Sequence, residues 1–294
     1  MSRPQKYHVP LTTGFNEALL AIADESKPSL INITARPFLK WVGGKRSILP
    51  ELIARMPKEY TVYNEPFLGG GALFFVVQPK QAYLSDINFH LIVTFQAVKD
   101  DVQNVIDYLK IHASRHNKTY YYEARAKLSK ETDSAQIAAL FIYINKTCFN
   151  GLYRVNKQGQ FNVPIGDYKN PNIVDEGNLL AVSKALKNTD IFQKDFSQIQ
   201  PQKDNFYYID PPYHGAYDGY NGGGFGDKEH TNLASFCREI DKIGGYFMVS
   251  NSDTELVRTL YKGYTIEEVS ALRSVSCKAH QRQRENELII RNYK

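Results

Sequence analysis

The stretch TVYNEPFLGGG, residues 61–71, decides the fold. Its first four residues have the composition of a strand, and Gly69 and Gly71 allow the backbone to bend tightly and to approach a ligand closely. An apolar segment follows, and a second strand over residues 82–85 ends on Asp86. Strand, glycine turn, helix and strand form a nucleotide-binding βαβ unit, in which the terminal carboxylate accepts hydrogen bonds from a ribose. A tight turn without a ligand is the alternative.

The rest of the chain divides into α/β and helical parts. Helices are predicted over residues 45–56, 101–112 and 135–145, and strands over residues 190–193, 206–209, 246–250 and 287–291. We predict an N-terminal extension over residues 1–35, with a short helix near residues 16–23. A catalytic α/β domain then covers residues 36–89 and 175–294, and it is interrupted by an inserted helical domain over residues 90–174.

Composition sets broad limits on function. Of the 294 residues, 43% are hydrophobic and 23% are charged, which is typical of a soluble globular protein. The net charge of +5 permits an anionic partner such as nucleic acid without requiring one. Three widely separated cysteines without metal-ligand spacing indicate reduced thiols and no metal site. The apolar runs are far shorter than the ~20 residues of a membrane span, and nothing resembles a signal peptide, so we expect a cytoplasmic location.

The motif DPPY, residues 210–213, follows the apolar stretch FYYI. This motif fits the methylation of an adenine amino group. The lone pair of that amino group is delocalised into the ring, so N6 is a poor nucleophile. The Asp210 carboxylate and the Pro211 carbonyl can accept both amino hydrogens and direct the lone pair at an activated methyl carbon. Pro211 and Pro212 preset the turn, and Tyr213 offers a flat face for a base taken out of the duplex. The motif therefore indicates direct methyl transfer to a planar amino nitrogen; a rigid turn is the alternative.

Other functions explain fewer of these residues. An NAD-dependent oxidoreductase would use the βαβ unit but would give the DPPY motif no role. Methyltransferases that act on RNA or protein nitrogen use a similar Pro-Pro-Tyr motif to bind a planar nitrogen, but those proteins usually carry Asn at the position of Asp210. Methylation of a cytosine carbon would require a Pro-Cys pair, which the chain lacks. A non-catalytic DNA-binding module would leave both motifs unused.

The motifs together resemble the Dam family of DNA adenine-N6 methyltransferases, the D12 class of GATC type. The resemblance lies in FLKWVGGK (38–45), EPFLGGG (65–71), NGLYR (150–154) through FNVP (161–164), and DPPY (210–213), in the family's order. It extends from residue 38 to the C-terminus and leaves residues 1–35 without a role. It implies an α/β methyltransferase fold with a Rossmann-like mixed sheet, an inserted helical DNA-recognition domain, S-adenosylmethionine as methyl donor and double-stranded DNA as substrate.

The resemblance also implies roles for individual residues. Lys45 would lie near the methionine carboxylate of the cofactor, Asp86 would hold its ribose, and Asp195 with Phe196 would bind its adenine ring. The implied cofactor site comprises Trp41, Lys45, Pro66, Phe67, Gly69, Gly71, Asp86, Asp195, Phe196 and Asp210. The implied target-base site comprises Asp210, Pro211, Pro212 and Tyr213.

A hairpin over residues 148–168 would enter the DNA. By resemblance, Phe149 wedges into the base stack, Lys40 contacts the first guanine, and Arg154 binds a guanine edge in fork geometry. The implied DNA-binding residues are Lys40, Phe149, Asn150, Leu152, Arg154 and Pro164, with Leu152 and Pro164 placed to touch a thymine methyl. The site predicted on this basis is GATC, methylated at adenine on both strands. Relatives that read other GAT-containing sites carry a similar hairpin.

Some features depart from the resemblance. The segment after Tyr213, which includes residues 222–226, differs from better-known members and is interpreted as a lid over the flipped base or as a loop. A basic cluster, Arg273, Lys278, His280, Arg282 and Arg284, is a candidate for phosphate contacts. Whether the enzyme pairs with a restriction endonuclease, acts alone or belongs to a phage stays open, as does its oligomeric state.

Overall fold

The computed structural model describes residues 7–8, 34–215, 224–272 and 284–294, and at residues 7, 8, 271, 272, 284 and 285 it describes the backbone alone. Three predictions therefore lie wholly or partly outside the described residues. They are the helix near residues 16–23, the first half of the glycine-rich segment 222–226, and the side chains of the basic cluster.

A seven-stranded mixed sheet forms the centre of the protein, with the strand order β5-β4-β3-β6-β7-β9-β8. The strands are β1 (Tyr7–His8), β2 (Glu59–Tyr60), β3 (Tyr63–Glu65), β4 (Ala82–Asp86), β5 (Thr189–Gln193), β6 (Phe206–Ile209), β7 (Tyr246–Ser252), β8 (Thr265–Leu272) and β9 (Arg284–Arg291). Strands β3 to β7 pair in parallel, whereas β9 runs antiparallel between β7 and β8. This confirms the predicted α/β class with a mixed sheet. Strand β1, within the N-terminal extension, pairs with β2 outside the main sheet.

Helices connect the strands. They are α1 (Leu49–Ala54), α2 (Ala72–Val77), α3 (Phe89–Asp100), α4 (Val102–Ser114), α5 (Lys118–Leu128), α6 (Ser134–Thr147), α7 (Glu176–Leu186), α8 (Asp227–Lys242) and α9 (Glu255–Leu260). The helix predicted over residues 45–56 is shorter than expected. Pro50 lies in its first turn, where proline is favoured, and the Lys45 carbonyl instead closes a turn by accepting from the Ile48 N–H.

Strand β6 shows how the sheet divides the core. All four of its residues are buried, as expected of a parallel strand that is covered on both faces. Phe206 and Tyr208 belong to the cluster that extends into α3 to α6, whereas Tyr207 and Ile209 pack with α8. Helices α3 to α6 therefore share a continuous core with one face of the sheet.

The chain reverses its winding direction between β3 and β6. From β3 it continues outward through β4 to β5, and from β6 it continues the other way to β7. The carboxyl ends of β3 and β6 lie side by side at this switch point, where open α/β sheets bind their ligands. The glycine turn follows β3 and the DPPY motif follows β6, so the sheet brings both motifs to one crevice.

Candidate active site

The glycine turn after β3 is tied to the end of β4. Gly69 has φ +47°, and its N–H donates to Oδ2 of Asp86 at 3.1 Å, while the Asn88 N–H donates to Oδ1 at 3.0 Å. A Cβ at position 69 would lie 2.8 Å from Cδ1 of Trp41, which is too close for an unaltered ring. Burial raises the pKa of Asp86, and these N–H groups oppose the rise. The turn thus forms a cradle between Trp41 and a carboxylate.

Aromatic rings pack around the cradle. Trp41 stacks on Tyr153 with ring centroids 5.6 Å apart, and Phe67 stacks on the buried Phe196 at 5.5 Å. Asp195, the residue before Phe196, accepts from the Ser197 N–H and begins a short 3-10 helix over Phe196–Gln198. The structure therefore brings these predicted cofactor residues together with flat apolar faces beside the turn.

Asp210 and Lys45 form an ion pair at the end of β6. Lys45 Nζ lies 2.8 Å from Oδ2 of Asp210 and also donates to the Gly43 carbonyl at 2.6 Å. Oδ1 of Asp210 is buried and has no hydrogen-bond partner among the described residues, although the side chain as a whole is 19% exposed. Burial raises the pKa of Asp210 to about 6, with Lys45 lowering it and Glu287 raising it. The carboxylate therefore has one neutralised oxygen and one free acceptor.

Tyr213 is held by its hydroxyl group and has a cation beside its ring. The hydroxyl donates to Oε2 of Glu287 at 2.6 Å, and Lys45 Nζ lies 4.8 Å from the ring centroid. Burial and the nearby carboxylates of Asp210 and Glu287 raise the pKa of Tyr213 well above its usual value, so the ring is uncharged. Pro211 is buried and Pro212 is exposed within the same turn.

The turn after Tyr213 is anchored to the end of β7. The His214 N–H donates to Oδ1 of Asn251 at 3.1 Å, and Ser252 Oγ donates to the His214 carbonyl at 2.6 Å. The His214 ring lies within hydrogen-bond distance of Thr254 and Asp227. The DPPY segment is therefore fixed by β6 at one end and by β7 at the other.

Two functional candidates were missed in the sequence. Glu65, within the quoted EPFLGGG stretch, is 3% exposed and accepts from the Tyr63 hydroxyl at 2.8 Å, and burial raises its pKa to about 8. Glu287 lies in a predicted strand, but its contact with Tyr213 joins residues far apart in the chain. In both cases the available signal was a carboxylate inside or beside an otherwise apolar strand.

Residues 148–166, within the hairpin predicted over residues 148–168, fold back on themselves. Isolated bridges join Cys148 to Ile165 and Val155 to Phe161 in antiparallel fashion. The Phe149 side chain is 45% exposed, Arg154 and Asn150 are exposed, and Nε of Arg154 donates to Oδ1 of Asn162 at 2.7 Å. The hairpin thus presents an aromatic ring and a guanidinium to solvent, and Pro164 is exposed beside them while Leu152 is half-buried.

Lys40 connects the hairpin to the cofactor cradle. Its ammonium lies 4.0 Å from the Tyr168 ring centroid and donates to the Lys146 carbonyl at 3.2 Å. Its stem packs on Gly151, where a Cβ would lie only 2.4 Å from the lysine side chain. The next residue in the chain is Trp41, which packs on Gly69, so two consecutive residues link the hairpin and the cradle.

The described residues contain no group of three or more His, Cys, Asp or Glu side chains arranged to hold a metal ion. Within the same described ranges, no helix has both the length and the apolar character needed to cross a membrane.

Comparison with known proteins identifies the family. The family model "D12 class N6 adenine-specific DNA methyltransferase" matches residues 41–275. A "Type II methyltransferase M.MjaIII" of Methanocaldococcus jannaschii is 41% identical over 287 residues, covering 88% of this chain and 99% of the relative. A "Type II methyltransferase M1.LlaDCHI" of Lactococcus lactis subsp. cremoris is 37% identical, covering 89% and 96%. A "DNA adenine methylase" of Haemophilus influenzae is 33% identical, covering 86% and 92%.

The family match spans both motifs of the crevice, so the geometry and the comparisons agree on the chemistry. The chain belongs to the D12 class of N6 adenine-specific DNA methyltransferases, which act on DNA with S-adenosylmethionine as methyl donor.

Proposed function

We propose that the protein is a site-specific methyltransferase that takes an adenine out of the duplex and methylates its N6, with GATC as the site. The proposal is carried by the buried Oδ1 of Asp210, to which no described residue donates a hydrogen bond. A buried carboxylate oxygen without a partner costs free energy, so its persistence is explained if a ligand donates to it. The amino group of a target adenine is such a donor.

The residues of the crevice fit S-adenosylmethionine. The buried ammonium of Lys45 is a partner for the methionine carboxylate of the cofactor, and the Asp210 carboxylate lies beside it at the end of β6. Gly69 lacks the Cβ that would collide with Trp41, so the indole packs directly against the backbone of the turn and forms one flat wall of the cradle. When bound, the cofactor supplies a methyl carbon activated by positively charged sulfur.

Each predicted cofactor residue has a part in this proposal. Asp86 accepts from the ribose hydroxyls, Lys45 lies near the methionine carboxylate, and Phe196 with Asp195 faces the adenine moiety. Trp41, Pro66, Phe67 and Gly71 shape the remaining walls. Lys45 also neutralises Oδ2 of Asp210, which prevents that oxygen from competing with Oδ1 for the target amino group.

The chemistry at the target base is chiefly a matter of orientation. Oδ1 of Asp210 accepts one N6 hydrogen and the Pro211 carbonyl accepts the other, which turns the nitrogen lone pair toward the methyl carbon. Tyr213 stacks against the base, and the rigid Pro211-Pro212 turn keeps the two acceptors in place. Because N6 lies inside the duplex stack, this geometry requires the adenine to be flipped out.

DNA recognition is assigned to the hairpin and to Lys40. In this proposal the inserted segment, residues 90–174, is the target-recognition domain. Phe149 enters the stack beside Asn150, Lys40 reads the first guanine, Leu152 and Pro164 contact the thymine, and Arg154 reads the guanine opposite the last cytosine. The exposure of Phe149 and Arg154 supports this assignment. A fork of two N–H groups is the geometry that arginine uses on a guanine edge.

The cellular setting is also proposed. We propose a cytoplasmic location, and the relatives named Type II methyltransferases make a functional pairing with a restriction endonuclease the setting to test first.

Sequencing for methylated adenine, on DNA treated with the purified protein and S-adenosylmethionine, tests the proposal. The expected result is methylation of both strands at GATC. Methylation at a longer GAT-containing site would overturn the specificity while retaining the chemistry. Methylation of RNA or protein but not of DNA would contradict the proposed substrate. Tandem purification with an endonuclease that cleaves the unmethylated site tests the pairing.

A further inference from the structure

Glu287 is a buried carboxylate that the chemistry above does not use. It lies on β9 opposite Ser252 of β7 and Val269 of β8, and it is 8% exposed. Because β9 runs antiparallel to β7, its early residues lie at the carboxyl end of β7, the edge that holds the DPPY turn. The next three residues, LII, are fully buried. A carboxylate in such a strand is costly unless it is hydrogen-bonded.

Its partner is the aromatic residue of the catalytic turn. The Tyr213 hydroxyl donates to Oε2 of Glu287 at 2.6 Å, a short hydrogen bond to a carboxylate, and such bonds are stronger than neutral ones. The remainder of the turn is fixed through backbone contacts at His214. Without Glu287, the backbone at Tyr213 would stay in place, but the ring would lose the hydrogen bond that fixes its orientation.

We propose that Glu287 is a positioning residue of the target-base site: it accepts the hydrogen bond of Tyr213 and so fixes the plane against which the adenine stacks. The inference rests on the proposed function, in which Tyr213 is the stacking surface. Reacting atoms must be aligned within a narrow range for transfer to occur, so a tilted ring lowers the rate of transfer more than the affinity for DNA.

Glu287 also acts on Asp210 through its charge. The charged and titratable groups that face Asp210 are Lys45, Glu65, Tyr208, Tyr213 and Glu287. Glu287 raises the pKa of Asp210, opposing Lys45. Removing the Glu287 charge therefore lowers the pKa of Asp210, an effect that a purely packing role would not produce.

Variants separate the two effects. Glu287→Gln retains an acceptor oxygen but removes the charge, and Glu287→Leu removes both. Glu268→Leu makes the same change on β8, at an exposed side chain that pairs with Arg258, and is the control. Single-turnover transfer of labelled methyl to plasmid DNA free of adenine methylation, together with the Kd for S-adenosylmethionine, is measured from pH 5 to 9.

We expect Glu287→Leu to slow transfer about 10- to 100-fold, the range for loss of a hydrogen bond to a charged group, with the cofactor Kd unchanged. Glu287→Gln should retain most of the plateau rate and shift the acid limb of the profile to lower pH. Glu268→Leu should behave as wild type. Equal rates for Glu287→Leu and wild type, or a Glu287→Gln variant as slow as Glu287→Leu, would overturn the proposal, whereas an unshifted limb would contradict only the charge effect on Asp210.

Tyr213 variants test the same bond from the other side, and they serve if Glu287→Leu does not fold. Tyr213→Phe should slow transfer, and the Tyr213→Phe, Glu287→Leu double variant should be no slower than the slower of the two single variants, because the bond is already lost. Multiplying losses would contradict the inference. Tyr213→Ala removes the ring and should be slower than Tyr213→Phe; if it retained full activity, the stacking role itself would be wrong.

Discussion

The ammonium of Lys45 lies 2.8 Å from Oδ2 of Asp210, whereas Oδ1 of the same carboxylate is buried and has no partner in the part of the chain that the structure describes. The two oxygens therefore differ before any substrate is present. One is neutralised by a cation that is itself 5% exposed, and the other is left as an acceptor. In the proposed function, this asymmetry gives the target amino group one place to bind, and the ionisation of the carboxylate sets the pH range in which the site works.

The first prediction concerns pH. Asp210 must be ionised so that Oδ2 pairs with Lys45 while Oδ1 accepts a hydrogen bond from the target amino group. Its pKa in the folded protein is about 6. We expect kcat/KM to fall below about pH 6 and to be level above it, because kcat/KM reports the free enzyme. The cationic cofactor favours the ionised form, so kcat should hold to lower pH. Measuring kcat and kcat/KM from pH 5 to 9 in buffers of constant ionic strength checks this prediction.

Glu65→Gln is the control for that profile. Burial raises the pKa of Glu65 to about 8, so a limb near pH 8 that disappears in this variant would assign the ionisation to Glu65 and not to Asp210. As the pH rises through about 6, the contribution of Asp210 to the stability of the fold should fall while the rate of methyl transfer increases. The Asp210 pKa is raised on folding, so its contribution to stability is present at low pH and is lost as the pH rises through about 6.

The second prediction concerns Asp210→Ala, which removes the acceptor and should abolish detectable transfer. Loss of one preorganised electrostatic partner costs about 10²–10³ in rate, and here the same change also leaves Lys45 buried without its counter-ion. Cofactor binding should persist in part, because the Gly69 cradle is untouched. Asp253→Ala, at an exposed carboxylate paired with Arg258, is the matched control and should retain activity. Substantial turnover by Asp210→Ala would refute the catalytic assignment.

The third prediction uses Trp41, the one tryptophan of the chain, as a reporter. Gly69→Ala places a Cβ 2.8 Å from the Trp41 ring at a backbone φ of +47°, so it should displace the ring and weaken S-adenosylmethionine binding at least about tenfold, a loss of ~1.4 kcal/mol. Tryptophan fluorescence should change on cofactor binding in wild type and be altered in the variant. Gly159→Ala, where no atom lies within 4 Å of the added Cβ, controls for a glycine with positive φ. Unchanged cofactor affinity in Gly69→Ala would remove Trp41 from the site.

The fourth prediction tests base reading by Arg154. A two-pronged arginine–guanine contact discriminates by ~1–3 kcal/mol, so Arg154→Ala should relax preference at the fourth base pair and leave the other positions intact. Duplexes that differ only at that pair measure the effect. Lys157→Ala, at an exposed lysine of the same hairpin, should instead affect all sequences alike, through phosphate contacts if at all. Full preference for cytosine in Arg154→Ala would remove the main support for GATC.

Local signals explain what the sequence predicted. The glycine turn and the DPPY turn each combine a strand with residues that have restricted or unusual backbone conformations, so both were placed correctly at strand ends. Strand β6 matches its predicted range, residues 206–209, because four consecutive apolar residues ended at Asp210. The helix of residues 101–112 was found with small errors at its ends, as α4.

The elements and contacts that were missed include two that depend on distant partners and one with a local pattern that was overlooked. Strand β8, TIEEVSAL, carries two glutamates that pair with Arg55, Arg291 and Arg258, so its polarity concealed it. Helix α8 was overlooked although its buried residues Leu233, Cys237 and Ile240 recur at helical spacing. The contact of Glu287 with Tyr213 joins residues 74 positions apart, and no local pattern indicates such a pair.

The place of β9 in the sheet has a consequence for synthesis on the ribosome. Strand β8 has β9 as its described neighbour, and β9 separates it from β7, so β8 cannot join the sheet until residues 284–291 have emerged. The DPPY turn, translated some seventy residues earlier, also lacks its tyrosine anchor until then. A nascent chain can therefore build the parallel strands in order while Tyr213 still lacks its anchor, so we expect full methyl-transfer activity only after this late strand inserts.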